Sequence, residues 1–372
     1  VSAGITHTCA IVAGGVRCWG SNTYGQLGAG DLMARPAPFE VIPAGSGATA
    51  IAAGNAFTCA VIAGGVKCWG YHGGVVLGDG SAVTQSSLPV QTIPPASGVT
   101  AIATGNSHAC AIRDAGLQCW GTNVYGQLGD GSNSGSNLPI QILPAASGVS
   151  GLGVGRFFTC VAMAGGVKCF GDNINGELGI ESSVRSNVPV TTITAGSGVT
   201  AVSNGETHAC AIVAGHVRCW GANSIGQLGN AGLGTSWRVP VQAVAAGSGA
   251  TSVATGTATA GFTCATLSGG ISCWGDNTAG TLGNGNNVAS IMPVAVLPTG
   301  SGATLITAGG SHVCSVVAGA AKCWGSASKY QLGNNGGSSS NVPVQVAGLT
   351  SGVTAIAAAS AHTCAVVNGG VK

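Results

Sequence analysis

A short stretch of the sequence, Thr6–Gly20 (THTCAIVAGGVRCWG), recurs along the whole chain. Seven copies are complete, and an eighth begins at His362. The first cysteines of successive copies are 50 to 54 residues apart, at Cys9, Cys59, Cys110, Cys160, Cys210, Cys264, Cys314 and Cys364. Self-similarity at such a period is the signature of a repeat architecture. Every other feature of the chain is therefore interpreted by its position in the repeat.

The recurring stretch predicts a β-hairpin. Apolar Cys9, Ile11, Val16 and Cys18 alternate with other residues at the period of a strand. A two-residue turn at Ala13-Gly14 places Cys9 opposite Cys18 in a non-hydrogen-bonded pair, where Cα atoms approach to roughly 4.5 Å. A three-residue turn with a bulge would shift the cysteines by one position. The constant offset of nine residues in all seven complete copies favours the first register.

The opposed cysteines predict seven intrachain disulfides, each stabilising the fold by roughly 2–3 kcal/mol, and hence an oxidising compartment. Zinc is the alternative, because His7 precedes Cys9 by two residues. Three copies, however, keep both cysteines and replace this His by Phe57, Phe158 and Phe262. A packing residue tolerates that exchange and a metal ligand does not. The expected bridges are Cys9–Cys18, Cys59–Cys68, Cys110–Cys119, Cys160–Cys169, Cys210–Cys219, Cys264–Cys273 and Cys314–Cys323.

Composition indicates packed strands rather than disorder, since 45% of residues are hydrophobic and only 6% are charged. The net charge of +2 gives no electrostatic basis for binding nucleic acid. No uninterrupted apolar segment is long enough for a membrane span. One period running from end to end predicts a single domain over residues 1–372, with seven full repeats and a partial eighth at 353–372. Because the chain starts and stops within a repeat, we expect it to be part of a longer protein.

Each copy contains four segments that resemble strands. After the hairpin come a glycine-rich loop such as Gly20–Gly28 (GSNTYGQLG), a polar loop, and a proline-led strand such as PVQT from Pro89. A proline opening a strand fits an edge position. A segment of small and β-branched residues such as VTAIAT from Val99 completes the unit, and we expect it to be buried on both faces. Four short strands per unit predict an all-β propeller with one small sheet per blade.

The motifs GGVKCWGxNxxGQLGxG, PVQV and VTAIAAG resemble the regulator of chromosome condensation (RCC1-type) repeat over the whole chain. The resemblance implies a seven-bladed β-propeller of four-stranded antiparallel blades, with about 50 residues per repeat. The paired cysteines are absent from the eukaryotic pattern and resemble a secreted bacterial branch, which is also similar to a propeller inhibitor of β-lactamases. The nucleotide-exchange activity of the nuclear relative is not carried over, because no insertion here is long enough to hold the features it depends on.

Seven blades raise a question of ring closure. Val1–Gly4 is short for a first-blade strand, and residues 353–359 are a full copy of that strand. We expect 353–359 to complete the blade begun by Thr6–Gly20, because closure removes an exposed sheet edge. The tail His362–Lys372 then has no place in the ring and could contact another chain through residues 361–372. An eight-bladed ring is the alternative. Cys364 lacks a partner at the nine-residue offset and is expected to be unpaired or bonded to another chain.

Two sets of residues are candidates for an interface. The residue before the second cysteine is basic in most copies and could form a basic ring for an anionic partner, although a solvated strand position explains it as well; in the complete copies these residues are Arg17, Lys67, Lys168, Arg218 and Lys322. The tryptophans after the second cysteine are interpreted as core between blades rather than a sugar site. Trp237 and Arg238 lie outside the motif, and we expect them in an irregular surface loop, as well as the insertion at 257–261.

The sequence contains no motif that indicates catalysis. Acidic residues are scattered, and neither GxSxG nor GxxxxGK[ST] occurs. We therefore predict a non-enzymatic protein without cofactor or metal. Loops on the faces of a ring are binding surfaces. The predicted function is an extracellular or cell-surface recognition or structural module that binds a protein or an extracellular polymer; the alternative is a secreted inhibitor or regulator of an enzyme.

Overall fold

The computed structural model describes residues 1–71, 73–232, 234–256 and 261–372, whose strands form eight sheets in chain order. Blade 1 contains β1 (Ser2–Ala3), β2 (His7–Val12), β3 (Gly15–Gly20) and β4 (Arg35–Ile42), and blade 2 contains β5 (Ala48–Ala53), β6 (Phe57–Ile62), β7 (Gly65–Tyr71) and β8 (Gln85–Ile93). Blade 3 contains β9 (Val99–Thr104), β10 (His108–Arg113), β11 (Gly116–Gly121) and β12 (Ser136–Leu143), and blade 4 contains β13 (Val149–Val154), β14 (Phe158–Met163), β15 (Gly166–Gly171) and β16 (Ser186–Ile193). Blade 5 contains β17 (Val199–Asn204), β18 (His208–Val213), β19 (His216–Ala222) and β20 (Ser236–Val244), and blade 6 contains β21 (Ala250–Thr255), β22 (Phe262–Leu267), β23 (Gly270–Gly275) and β24 (Ser290–Leu297). Blade 7 contains β25 (Ala303–Ala308), β26 (His312–Val317), β27 (Ala320–Gly325) and β28 (Ser340–Gln345), and blade 8 contains β29 (Val353–Ala358), β30 (Thr363–Val367) and β31 (Gly370–Val371).

Consecutive strands of each blade pair antiparallel. The first strand of each blade contacts the first strand of the next, so these strands surround the axis. Because the strands alternate in direction, the turn after the first strand and the loop after the third lie at the same end, here called the loop end. The tight turn between the second and third strands lies at the opposite end, the hairpin end.

The predicted hairpin and its disulfides are confirmed. Ala13 and Gly14 both have positive φ, 49° and 71°, as a two-residue turn between twisted strands requires. Cys9 pairs with Cys18, and their Cα atoms are 4.1 Å apart. The same bridge is present in the other six complete copies.

The core lies between blades. Trp69, Trp120, Trp220, Trp274 and Trp324 are fully buried, as is Phe170 in the fourth copy. The indole Nε1 of Trp220 donates to the carbonyl of Glu177 in the preceding blade, at 2.8 Å. These five tryptophans are thus confirmed as packing residues, whereas Trp19 in the first copy is half-buried. The first strands differ from the expectation: in β9 Val99 and Ile102 are buried, Thr100 is exposed and the other residues are half-buried, because these strands face the central channel.

The expected seven-bladed closure is wrong, because the ring has eight blades. Residues Val353–Ala358 pair with their own hairpin strand β30 instead of with β2. The slot beside β2 is filled by Ser2 and Ala3, which pair with Cys9 and Thr8. Two paired residues are enough because Ser2 Oγ also accepts a hydrogen bond from Ala53 N of the next blade, at 3.0 Å.

The tail His362–Lys372 therefore lies within the ring, as part of the eighth sheet, and does not hang outside it. The Cys364 thiol donates to Thr8 Oγ1 of blade 1, at 3.3 Å. At the junction of blades 1 and 2 the equivalent residues are Cys9 and Thr58, with Cys9 Sγ 3.7 Å from Thr58 Oγ1, but Cys9 belongs to a disulfide and has no proton to donate. The eighth blade thus meets the first through the same pair of positions, a cysteine and a threonine.

The expected irregular loop at Trp237 is also wrong. Trp237 belongs to β20 and pairs with Gly221. The equivalent residues in blades 2, 3 and 4 are Ser86, Ser136 and Ser186, so Trp237 occupies a regular serine position. The outer strands begin before their proline, and this register is invisible to a motif that starts at the proline. Of the insertion at 257–261, residues 257–260 lie outside the described residues.

Candidate recognition surface

The central channel opens at the loop end as a cavity of about 300 Å³. Turns after the first strands of blades 1 to 5 and 8 line it, with mostly small or uncharged residues such as Gly, Ala and Asn. Arg156 in blade 4 and Glu206 in blade 5 are the charged residues of this lining. They hold the position occupied by Asn55 and Asn106 in blades 2 and 3. The mouth of the channel therefore has opposite charges on two neighbouring blades.

Four side chains from blades 3 and 4 form a cation–aromatic ladder at this end: Arg156, Phe157, Tyr125 and Arg185. The guanidinium of Arg156 lies 4.9 Å from the ring centroid of Phe157. The Phe157 and Tyr125 rings pack with centroids 4.6 Å apart and planes tilted by 32°. Arg185 lies 4.5 Å from the Tyr125 centroid, and its Nε donates to Asp172 Oδ1 at 2.7 Å. The ladder runs from the channel mouth to the loop before the outer strand of blade 4.

Sequence reasoning did not identify this ladder. A signal was nevertheless present, because the Arg156-Phe157 pair replaces the small polar turn found as Asn106-Ser107 in blade 3. The turn is short and its residues vary between copies, so it does not stand out in the sequence beside the cysteine motif. Phe157 is also a position where the other blades place Ala56, Ser107 or Thr207, so an aromatic there is not required by the repeat.

The predicted interface pair Trp237 and Arg238 lies at the start of the outer strand of blade 5. Trp237 is 38% exposed, and Arg238 is exposed. Arg238 lies close to blade 4, since a Cβ built on Gly176 of blade 4 would be 2.9 Å from the Cα atom of Arg238. The pair therefore borders the loop of blade 4 that follows the third strand.

The predicted basic residues lie in the third strands of their sheets and not in loops. Arg17 pairs with Ala10 and Glu40 across the sheet, and its guanidinium lies 3.6 Å from the Glu40 carboxylate. Lys67, Lys168, Arg218 and Lys322 occupy the equivalent strand positions and are half-buried. The structure thus separates this set from Trp237 and Arg238, which stand at the loop end.

Buried histidines join blades in pairs with a threonine of the following blade. The Nε2 atoms of His7, His108, His208 and His312 lie 2.7–3.0 Å from the Oγ1 atoms of Thr58, Thr159, Thr263 and Thr363. Each threonine hydroxyl donates to a backbone carbonyl of a Gln in the preceding blade. The histidine Nε2–H is therefore the donor to the threonine oxygen.

Burial lowers the pKa of these histidines. The pKa falls to about 4 for His7, about 3 for His108 and about 4 for both His208 and His312. At His7 and His312 the nearby His362 lowers the pKa further. Glu177, which replaces the Gln of the loop motif, has its pKa raised by burial although it accepts hydrogen bonds from Asn175.

Family models decide what kind of repeat this is. One model for the regulator of chromosome condensation (RCC1) repeat matches residues 13–61 and 322–366, and a second model of the same description matches 99–127. The chain carries RCC1 repeats. The loop end described above is thus the glycine-rich loop face of an RCC1-type propeller with eight blades.

Among known proteins, one curated relative resembles part of this RCC1 propeller in sequence, and two solved structures share its fold. A curated relative, the Ultraviolet-B receptor UVR8 of Arabidopsis thaliana, is 29% identical over 148 residues, which cover 37% of this chain and 32% of the receptor. The match thus spans about a third of that relative's length. Human WBSCR16 superposes with a TM-score of 0.76 at 19% identity, covering 95% of this chain and 99% of the other. Prp20p of Saccharomyces cerevisiae, whose structure is presented with its binding to Gsp1p and histones, has a TM-score of 0.75 at 18% identity, covering 97% and 92%.

Neither a metal-binding cluster nor a membrane-spanning helix is found among the described residues. No three His, Cys, Asp or Glu side chains in this part of the chain are arranged to hold a metal ion. No helix within the described ranges is long and apolar enough to cross a membrane.

Proposed function

We propose that this RCC1 propeller is a non-enzymatic recognition module of an oxidising extracellular or cell-surface compartment. In this proposal residues 1–372 act as one domain and bind a protein or an extracellular polymer through the loop end. Seven intrachain disulfides support the compartment, since thiols stay reduced in the cytosol.

The difference between the two ends of the propeller carries the proposal. Most hairpin turns are a small residue followed by Gly, as in Ala13-Gly14, Ala63-Gly64 and Ala164-Gly165, whereas blades 3 and 8 have Asp114-Ala115 and Asn368-Gly369. Loop-end segments hold large exposed apolar side chains in almost every blade: Tyr24, Tyr71, Val124, Ile174, Val288 and Tyr330. Exposed aromatic and aliphatic side chains grouped on one surface are typical of interaction sites. The loop end is therefore the binding face.

Cross-linking tests the proposed face. The protein is incubated with secreted proteins and cell-wall polymers of its source cells, and cross-linked residues are mapped by mass spectrometry. The variant Trp237→Ser/Arg238→Asn restores the Ser-Asn of blades 3 and 4 and should reduce cross-linked partner at least about fivefold, as loss of a Trp-Arg anchor predicts.

A matched substitution at the other end is the control. Thr194→Arg adds charge to an exposed linker at the hairpin end of blade 4 and should leave partner recovery unchanged. Cross-links concentrated at the hairpin end, or chemical conversion of the recovered partner by the protein, would show that the proposal is wrong.

A further inference from the structure

We propose that the cation–aromatic ladder binds an acidic, extended segment of a partner protein, with Arg156 as the anchor for a carboxylate. This inference rests on the proposed function and names the partner chemistry for one sector of the loop end. The sector comprises the ladder and the exposed aliphatic residues in the loops that carry it.

The two ladder arginines differ in whether a carboxylate of the protein pairs with them. Arg185 forms an ion pair with Asp172 at 2.7 Å. Among the described residues, no carboxylate lies within ion-pair distance of Arg156. The Arg156 side chain is exposed. A guanidinium stacked on a ring keeps its N–H edge free for a bidentate contact with a carboxylate. The contact with the Phe157 ring thus favours one orientation of Arg156, and its N–H edge has no acidic partner among the described residues.

The neighbouring blade determines where a carboxylate is favoured. Glu206 holds the equivalent turn position in blade 5 and lines the same channel mouth. A carboxylate is therefore attracted by blade 4 and repelled by blade 5. The acidic group of the partner is expected over the ladder, on the side of blades 3 and 4.

The ring stacking argues for a peptide rather than a sugar polymer. Phe157 has Arg156 and Tyr125 as neighbours, and Tyr125 has Phe157 and Arg185 as neighbours. Both rings are therefore already engaged in contacts within the ladder. A pyranose ring binds an aromatic by stacking on an open face, so it would have to compete with these contacts. Carboxylate and aliphatic contacts remain, which are the groups that an acidic peptide presents.

Exposed aliphatic side chains extend the surface along the same loops. Val124 precedes Tyr125 and is 67% exposed, and Val184 precedes Arg185 and is 71% exposed. Ile174, in the blade 4 loop that contains Asp172, is 66% exposed. A partner segment in which acidic and large apolar residues alternate would satisfy Arg156 and cover these aliphatic groups at once.

A displayed library of random twelve-residue peptides, selected on the disulfide-bonded protein, tests the proposal. We expect the selected peptides to be rich in Asp and Glu and to contain large apolar residues. The variant Arg156→Asn/Phe157→Ser gives blade 4 the turn of blade 3, Asn106-Ser107, so it should fold normally. It should weaken binding of the selected peptides at least about tenfold, the usual effect of losing a charged interface anchor.

The control variant removes an arginine from the opposite end. Arg113→Val introduces the residue that blades 1 and 5 hold at this position, Val12 and Val213, and should leave peptide affinity unchanged. Selected peptides without acidic enrichment, or equal binding to the double variant, would overturn the proposal. So would binding of oligogalacturonate, a carboxylate polymer of sugars, that depends on Arg156 while acidic peptides fail to bind. If these tests fail but Trp237→Ser/Arg238→Asn still reduces the amount of cross-linked partner, the recognition function stands and only the acidic partner is rejected.

Discussion

Single glycines fix how closely neighbouring blades approach each other. Gly126 has φ of 82°, and a Cβ there would lie 2.7 Å from Asn187 Cα in the outer strand of the next blade. Gly25, Gly176, Gly226 and Gly280 face the next blade in the same way. In blade 7 the position is Tyr330, with φ of 61° and 74% exposure. The side chain is accommodated because the described residues of blade 8 form three strands, and none is an outer strand facing Tyr330.

A matched pair of alanine substitutions should separate the two roles of these glycines. Gly196→Ala, at φ of 78° with nothing within 4 Å of its Cβ, should cost about 1 kcal/mol for the left-handed conformation alone. Gly126→Ala should cost about 1–3 kcal/mol more, because its Cβ meets backbone that cannot move without displacing a strand. Urea denaturation measures both. Equal losses of stability would show that blade spacing does not depend on Gly126.

The buried histidines lie at the junctions between neighbouring blades and form contacts there. His7, His108, His208 and His312 each face a Thr of the following blade. Where a blade has Phe57, Phe158 or Phe262 instead, the next blade has Ala109, Ala209 or Val313 at the threonine position. His with Thr and Phe with Ala or Val are thus two alternative solutions for the same junction. The exchange of His for Phe between copies follows from this pairing.

Stability should therefore depend on pH through these histidines. Their pKa values in the folded protein, about 3 to about 4, lie below the ordinary value of 6.5. The unfolded chain binds protons first, so the stabilising contribution is complete above pH 6.5 and is lost as the pH falls toward the folded pKa. At pH 4.5 each such histidine should cost about 2–3 kcal/mol relative to pH 7.5. Urea midpoints at the two pH values measure the loss.

A double substitution tests the junction itself. His108→Phe should reduce the loss of stability between pH 7.5 and pH 4.5 by the contribution of one histidine. At pH 7.5 it should lower the free energy of unfolding by about 1 kcal/mol, because the hydrogen bond to Thr159 is lost. Adding Thr159→Ala recreates the Phe57 and Ala109 junction and should recover most of that cost. Purely additive losses in the double variant would contradict the pairing.

The sequence was sufficient for elements whose determinants lie within one copy. The register of the Cys9–Cys18 hairpin follows from alternation and a fixed offset, and it was predicted correctly. The features that were missed or wrong depend on two copies at once. The function of His108 depends on Thr159 in the next blade, and the Tyr125–Phe157 stack also joins two blades. Trp237 was misplaced because its strand register is set by pairing with Gly221, which the proline motif does not reveal.

Blade number is a property of the whole ring and not of any repeat. At each junction two neighbouring blades pack in a particular geometry. Closing the ring with eight blades instead of seven changes that geometry only slightly at each junction. The seven-bladed expectation came from the resemblance, together with the assumption that Val1–Gly4 was too short to serve as a strand. The structure instead pairs Ser2 and Ala3 with β2 and places Thr363–Val367 beside blade 1. The decisive contact is between Cys364 and Thr8, residues at opposite ends of the sequence.

Thiol chemistry can verify the eight-bladed closure in solution. The chain has 15 cysteines, and Cys364 is the free one. It is 4% exposed, and burial raises the pKa of its thiol. The folded protein should therefore react with Ellman's reagent at least about a hundredfold more slowly than an exposed thiol, and the denatured protein should release one equivalent. The variant Ser360→Cys/Cys364→Ser moves the thiol to an exposed position in the same blade and should react quickly while folded. In a seven-bladed ring the tail would lie outside, and wild-type Cys364 would react as fast as this control.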